Sequence, residues 1–212
     1  MSTTINIDTL VLRKGSHPCD DGACLMEARA LILGRPKTDS CPPGTSPLLH
    51  FFGISLNDAF GDDRRQDLKR FLPRDGVDPL GGTADDGQDE ARSYLALDWL
   101  IRTYTPAWLD LRPELADAAA ELRSLRRIVD LTAAQSAGPV VRSARDKSYA
   151  ARAAARAAAG DAAWDAARAA AGDAAWDAAG AAAWDALQPT VDLLQTSAIE
   201  LFAAMINPAA TS

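Results

Sequence analysis

The sequence predicts a predominantly all-α protein, a multi-helix bundle with a long alanine-rich helix and a short amino-terminal strand. Three observations predict it. Ten consecutive four-residue units from Ser148 to Leu187 hold 23 alanines in 40 residues, and alanine is the best helix former. Apolar residues recur at three- and four-residue spacing over 47–60, 89–104 and 190–206, the period of a helix with one buried face. Helix-starting residues (Ser46, Pro47, Pro113, Thr190) and helix-ending ones (Gly34, Pro73, Pro106) bracket such runs.

In chain order, Ile5, Ile7, Leu10 and Leu12 alternate through residues 5–13 and suggest the strand. Residues 15–22 form a loop, and Asp20 or Asp21 caps a helix from about Ala23 to Leu33, ended by Gly34. A proline-rich polar loop follows over 35–46. Ser46-Pro47 opens a helix whose inward set is Leu48, Leu49, Phe52, Leu56, Ala59 and Phe60. Asp62 or Asp63 starts a short helix closed by Pro73. Residues 74–88, with four glycines, a proline and several aspartates, read as the longest and most mobile connection.

Helix 89–104 is expected to bury Tyr94, Leu97, Ile101 and Tyr104, with Asp98 pairing Arg102 across one turn, until Pro106 stops it. Trp108, Leu109 and Leu111 pack a connector, and Pro113 starts a helix reaching about Val129. Gly138-Pro139 is expected to separate that helix from the repeat. After Pro189, Thr190 caps a last helix that turns Val191, Leu194, Leu201, Phe202, Met205 and Ile206 inward. Two parts follow: an amino-terminal helical domain over 1–137 with His/Cys-containing loops, and 138–212, the repeat helix plus an amphipathic tail, packed on the first part as one globular unit.

The repeat carries a longer period as well. RAAAGDAAWDAA occupies 156–167, recurs unchanged at 168–179, and is followed by a shortened GAAAWDAL. Each residue advances about 100° round a helix, so a four-residue step overshoots by about 40° and the alanine row circles the rod once in ten units. A heptad would hold one stripe against one partner. This row instead follows the ridge direction of steeply crossing helices, so the rod is expected to be touched from different sides at different heights. Trp164, Trp176 and Trp184 would anchor such contacts, with Arg168 within reach of Trp164 and Asp165. Gly160 and Gly172 are candidate kinks, because mid-helix glycine costs about 1 kcal/mol. The basic residues also precede the aspartates, an order that opposes the helix dipole. The competing reading is a tolerated expansion in a GC-rich gene, in keeping with 18 Arg against 4 Lys.

A net charge of −7 argues against sequence-independent binding to nucleic acid, which needs a basic surface. Charges at short intervals exclude a membrane span in the repeat. The first residues lack the basic head and apolar run of a secretion signal, and three cysteines in a chain of 212 residues make no disulfide framework. A cytoplasmic protein with reduced thiols is expected.

Both histidines and all three cysteines fall between His17 and His50. Four of His17, Cys19, Cys24, Cys41 and His50 would suffice for a structural zinc ion, although no CxxC knuckle is present. Otherwise the cysteines are partly buried free thiols and no cofactor is bound. Cys24, in the first turn of its helix, is a candidate nucleophile with His17 as base and Asp20, Asp21 or Glu27 as orienting or acid–base groups. The string DGACLMEA resembles the helix-start cysteine of papain-type hydrolases, but the later histidine and the strands of that fold have no counterpart here. Asp20-Asp21, Asp62-Asp63 and Asp85-Asp86 all precede helices, where capping accounts for them.

The stretches GSHPCDDGACLMEARA (15–30), TDSCPPGTSPLL (38–49), FLPRDGVDPLGGT (71–83) and ALDWLIRTYTPAWL (96–109), followed by the Ala/Trp/Asp repeat, resemble a group of proteins from actinobacteria and their phages. Alanine-rich runs are also similar to those of some toxin-immunity proteins. The resemblance implies a phage accessory or immunity-like role and transfers no functional residue. The leading expectation is a non-enzymatic helical protein-binding or scaffold protein, with the repeat helix as contact surface or scaffold and another protein, or a second copy of the chain, as partner. The cysteine-dependent hydrolase and the small zinc protein are its alternatives.

Overall fold

The computed structural model describes the backbone of residues 6–15, 22–169 and 173–211, and of these the side chains outside 155–184 and 210–211. The protein is predominantly all-α. Among the described residues the helices are α1 (Leu25–Ile32), α2 (Pro47–Ala59), α3 (Asp62–Arg65), α4 (Asp89–Trp99), α5 (Thr105–Leu109), α6 (Ala116–Ser124), α7 (Leu131–Ala169) and α8 (Asp173–Ile206). The chain divides into two compact units, Met1–Ala96 with Ser197–Ser212, and Leu97–Thr196.

In the first unit the strand expected over 5–13 does not form in its described part, residues 6–13. Residues from Asn6 turn back, with Leu10 N–H donating to the Asn6 carbonyl at 3.1 Å. Only Leu12 makes a bridge, parallel to Ala23. Among the described residues no second strand extends it; the Gln66 side-chain amide instead accepts from Leu12 N–H at 2.9 Å and donates to its carbonyl at 3.0 Å. A single glutamine thus does what a neighbouring strand would do.

α1 ends as expected, at Leu33 and a left-handed Gly34. Its cap is Cys24, where an aspartate was expected. α2 opens on Ser46, whose Oγ accepts from Leu49 N–H, with Pro47 in the first turn. Its buried stripe is Leu49, His50, Gly53, Leu56 and Asn57, while Leu48 stays half-buried and Ala59 exposed. Gly53 is required by close packing: a Cβ there would meet the Met26 methyl at 2.3 Å and the Phe202 ring at 3.2 Å. Phe202, fully buried near the end of α8, stacks edge-on against Phe71 with centroids 4.7 Å apart.

The connection expected to be mobile is anchored along its length. Asp75 and Gly76 both have positive φ, and Arg74 and Val77 exchange backbone hydrogen bonds at 3.0 and 2.9 Å, a tight Asp-Gly hairpin turn. Asp78 pairs bidentately with buried Arg29, Leu80 is fully buried, and Thr83 Oγ1 accepts from Ser46 N–H. Asp86 is held by Arg92.

The second unit is governed by its prolines. Pro106 does not stop its helix, contrary to expectation. Leu100–Tyr104 widens into a π turn and the chain re-enters α-helix at Thr105. Thr105 donates both its N–H and its hydroxyl to the Leu100 carbonyl, five residues back. The wider turn makes room for a buried proline ring and reassigns the bonds that proline cannot make. Pro139 and Pro189 lie inside α7 and α8, so neither Gly138-Pro139 nor Thr190 bounds a helix. Both prolines are exposed, as are Gln135 and Asp185 four residues before them. The carbonyls they leave without a donor belong to solvent-facing residues, so no π turn is needed.

α6 ends at Ser124, short of the expected Val129; the chain runs on to Asp130, whose Oδ1 caps α7 by accepting from Ala133 N–H at 2.7 Å. Asp98 pairs with Arg102 as expected and also accepts from Ile128 N–H at 2.8 Å. Leu109, Leu115, Ala118, Ala119, Leu122 and Ala144 form the core of this unit. Of the face expected to be buried, Tyr94, Leu97 and Ile101 are half-buried and Tyr104 is exposed, and the fully buried residue of α4 is Arg92.

Candidate functional site

Cys24 is built into a helix cap. Its Sγ accepts from Glu27 N–H at 3.5 Å, and the Glu27 carboxylate accepts from Cys24 N–H at 2.8 Å, a reciprocal capping box with both residues buried. Burial pushes the thiol up to about 11; the Glu27 backbone N–H opposes that shift, and the Glu27 charge adds to it. At neutral pH the group is a thiol, which weighs against Cys24 as the candidate nucleophile. His17, Cys19, Asp20 and Asp21 lie outside the described residues.

Cys41 is exposed, and its S–H points to the Thr45 carbonyl at 3.6 Å. Partial burial raises its pKa. His50 is buried, with Nε2 at 2.7 Å from the Asp39 carbonyl and no partner for Nδ1. The hydrogen bond assigns the proton to Nε2, and burial lowers the ring's pKa. Among the described residues no three His, Cys, Asp or Glu side chains come together to hold a metal.

The repeat residues Trp164 and Arg168 lie on α7, and Trp176 and Trp184 on α8. The environment of their side chains falls outside the described residues. α7 continues through Gly160 without a break, while Gly172 is not described.

Sequence reasoning missed a set of buried arginines. Arg65 donates to the Asn57 and Phe60 carbonyls and to Asp62. Arg29 donates to Asp78 and Thr45. Arg92 donates to Met205 O, Thr83 O, Asp86 and Asp89. Arg65 and Arg92 satisfy backbone carbonyls, and Arg29 ties the Asp78 carboxylate to the Thr45 hydroxyl, so these residues hold the fold and leave little free for a ligand.

The second unit carries a half-open apolar groove of about 300 Å³. Ile101, Thr105 and Leu109 form one wall, spaced by four along the π turn and α5. Leu122 of α6 floors it, and Val141, Ala144, Arg145, Ser148 and Tyr149 of α7 form the far wall. Tyr149 is 62% exposed. A wider, more polar depression of about 560 Å³ includes Arg102, Asp110, Arg123, Thr190 and Leu193; there Arg123 already pairs with Asp110. In the same unit Trp99, Tyr104 and Trp108 pack ring against ring, with centroids 5.3 and 6.2 Å apart. The π turn brings Trp99 and Tyr104, five apart, onto one line.

No helix among the described residues is long and apolar enough to cross a membrane. No family model, no curated protein and no solved structure matches the chain.

Proposed function

We propose that this is a non-enzymatic helical protein that works by binding another protein, with the Ala/Trp/Asp repeat helix as its contact surface. One observation supports the reading above others. α7 runs unbroken for 39 residues, about 58 Å, and at Arg152, Ala153 and Ala154 it presents three successive exposed residues. Three successive residues cover most of a helix circumference. At that level, just past half-buried Ala151, the rod is exposed on most of its surface, and its two small side chains, Ala153 and Ala154, permit close backbone approach by a second helix beside Arg152.

The raised Cys24 pKa and its capping role favour this reading over a thiol enzyme. The test is photocrosslinking from position 152 of the full chain in its native host. One discrete protein adduct is expected, with its yield cut at least fivefold when Trp164, Trp176 and Trp184 are changed to alanine. A parent chain that yields no adduct, or a triple variant that crosslinks undiminished, rejects the repeat as the contact surface. An adduct of the chain with itself makes the partner a second copy.

A further inference from the structure

We infer that the apolar groove of the second unit binds a medium-chain aliphatic carboxylate, a ligand independent of the protein partner proposed above. Its volume of about 300 Å³ sits at the lower end of the range that small-molecule sites occupy. Leu109, Leu122 and Ala144 are buried at its base, with half-buried Ile101 and Val141 beside them. None of these five side chains has a polar atom, so the base suits a hydrocarbon chain.

The polarity changes along α7. From Val141 to Tyr149 the wall advances about 12 Å, and the apolar pair Val141 and Ala144 gives way to Arg145, Ser148 and Tyr149. A guanidinium and two hydroxyls at one end of a hydrocarbon slot match an anionic head group on an alkyl tail. The surrounding charge selects the sign. In a chain of net charge −7, residues 142–152 carry exposed Arg142, Arg145, Lys147 and Arg152 against a single acid, Asp146. Lys147 is shared with Glu121 across to α6 at 3.3 Å. Arg145 spends only Nε and Nη2 on Asp146, at 3.1 and 3.0 Å, which leaves the rest of its donor fork for a ligand. Both side chains of that pair are more than half exposed, so the bond is weak and yields to a competing carboxylate.

The experiment is calorimetric titration of the full chain with hexanoate, octanoate and decanoate below their micelle concentrations, with decanol and decyltrimethylammonium as head-group controls. Affinity is expected to rise about fourfold for each added methylene. Decanoate should bind more tightly than decanol, and the cationic amphiphile should not bind. Arg145→Gln, at an exposed position, should weaken decanoate about fivefold and leave decanol unchanged, whereas Asp146→Asn should strengthen decanoate. Ser148→Phe, at the half-buried lip, should abolish binding of both, with thermal melts confirming that each variant folds as the parent does. A chain-length series that stays flat overturns the site, as it would if the groove receives a peptide. Equal decanoate affinity in Arg145→Gln, or undiminished binding in Ser148→Phe, overturns it too. These outcomes are separate from the crosslinking result, since neither substitution alters the repeat tryptophans.

Discussion

The Arg92 guanidinium is fully buried and meets Asp86 in a fork, Nη1 at 2.8 Å from Oδ1 and Nη2 at 2.5 Å from Oδ2. Its remaining donors reach the Thr83 and Met205 carbonyls, so one side chain ties the 74–88 connection to α4 and to the carboxyl-terminal end of α8.

Arg92→Met should therefore cost about 3 kcal/mol, because two buried carbonyls lose their donor and three segments lose a common tether. Urea unfolding of the parent and variant reads this directly. A loss under 1 kcal/mol would show that the cage contributes little.

The same pair sets a pH dependence. Hydrogen bonds from Arg92 hold the Asp86 carboxyl below its ordinary value. The folded-state value is depressed, so the stabilisation is complete above the unfolded carboxylate range and is lost as pH falls through the folded value. Stability between pH 5 and pH 2 should fall less steeply in Asp86→Asn than in the parent. Superimposable acid-unfolding curves would contradict that assignment.

Gly53→Ala should destabilise by about 1–2 kcal/mol, since its methyl would overlap the Met26 side chain. Met26 has a flexible tip, so shortening it should relieve the overlap. A double-mutant cycle with Met26→Ala is expected to show a coupling above about 0.5 kcal/mol. Additive effects would place the strain elsewhere.

The three prolines inside helical segments should respond differently to alanine. At exposed Pro139 and Pro189, alanine restores a helical N–H and should stabilise by about 1–3 kcal/mol. At buried Pro106 the π turn is already fitted to the ring, so Pro106→Ala should gain less and should change the near-ultraviolet signal of the Trp99–Tyr104 stack. Equal gains at all three positions would refute the distinction.

Cys41 is exposed and Cys24 is a buried cap. With an Ellman-type reagent at neutral pH, followed by peptide mapping, Cys41 should react at least a hundredfold faster than Cys24, because the thiolate is the reactive form and access is needed. Rapid labelling of Cys24 in the folded protein would revive its candidacy as a nucleophile.

Much of the fold could be read one segment at a time. Ser46-Pro47, Gly34 and the Asp98–Arg102 pair all act within one helical turn, and all stand where the sequence put them. The candidate site was less legible. His50 and Cys24 looked like chemistry because of their residue types; in the structure His50 bonds the Asp39 carbonyl and Cys24 caps α1. The groove was invisible because its walls come from α5, α6 and α7, and no local spacing announces which apolar residues will leave a space between them.

By itself the sequence determined that the chain is helical and where several helices start, since caps and propensities act between residues at most four apart. Only the tertiary structure decided which polar groups are buried and which prolines are tolerated. Arg92 finds an acceptor 113 positions away at Met205, and Pro139 remains inside α7 because the surrounding face meets water. In both cases the deciding quantity is the environment of a backbone carbonyl, which exists only once distant segments have packed.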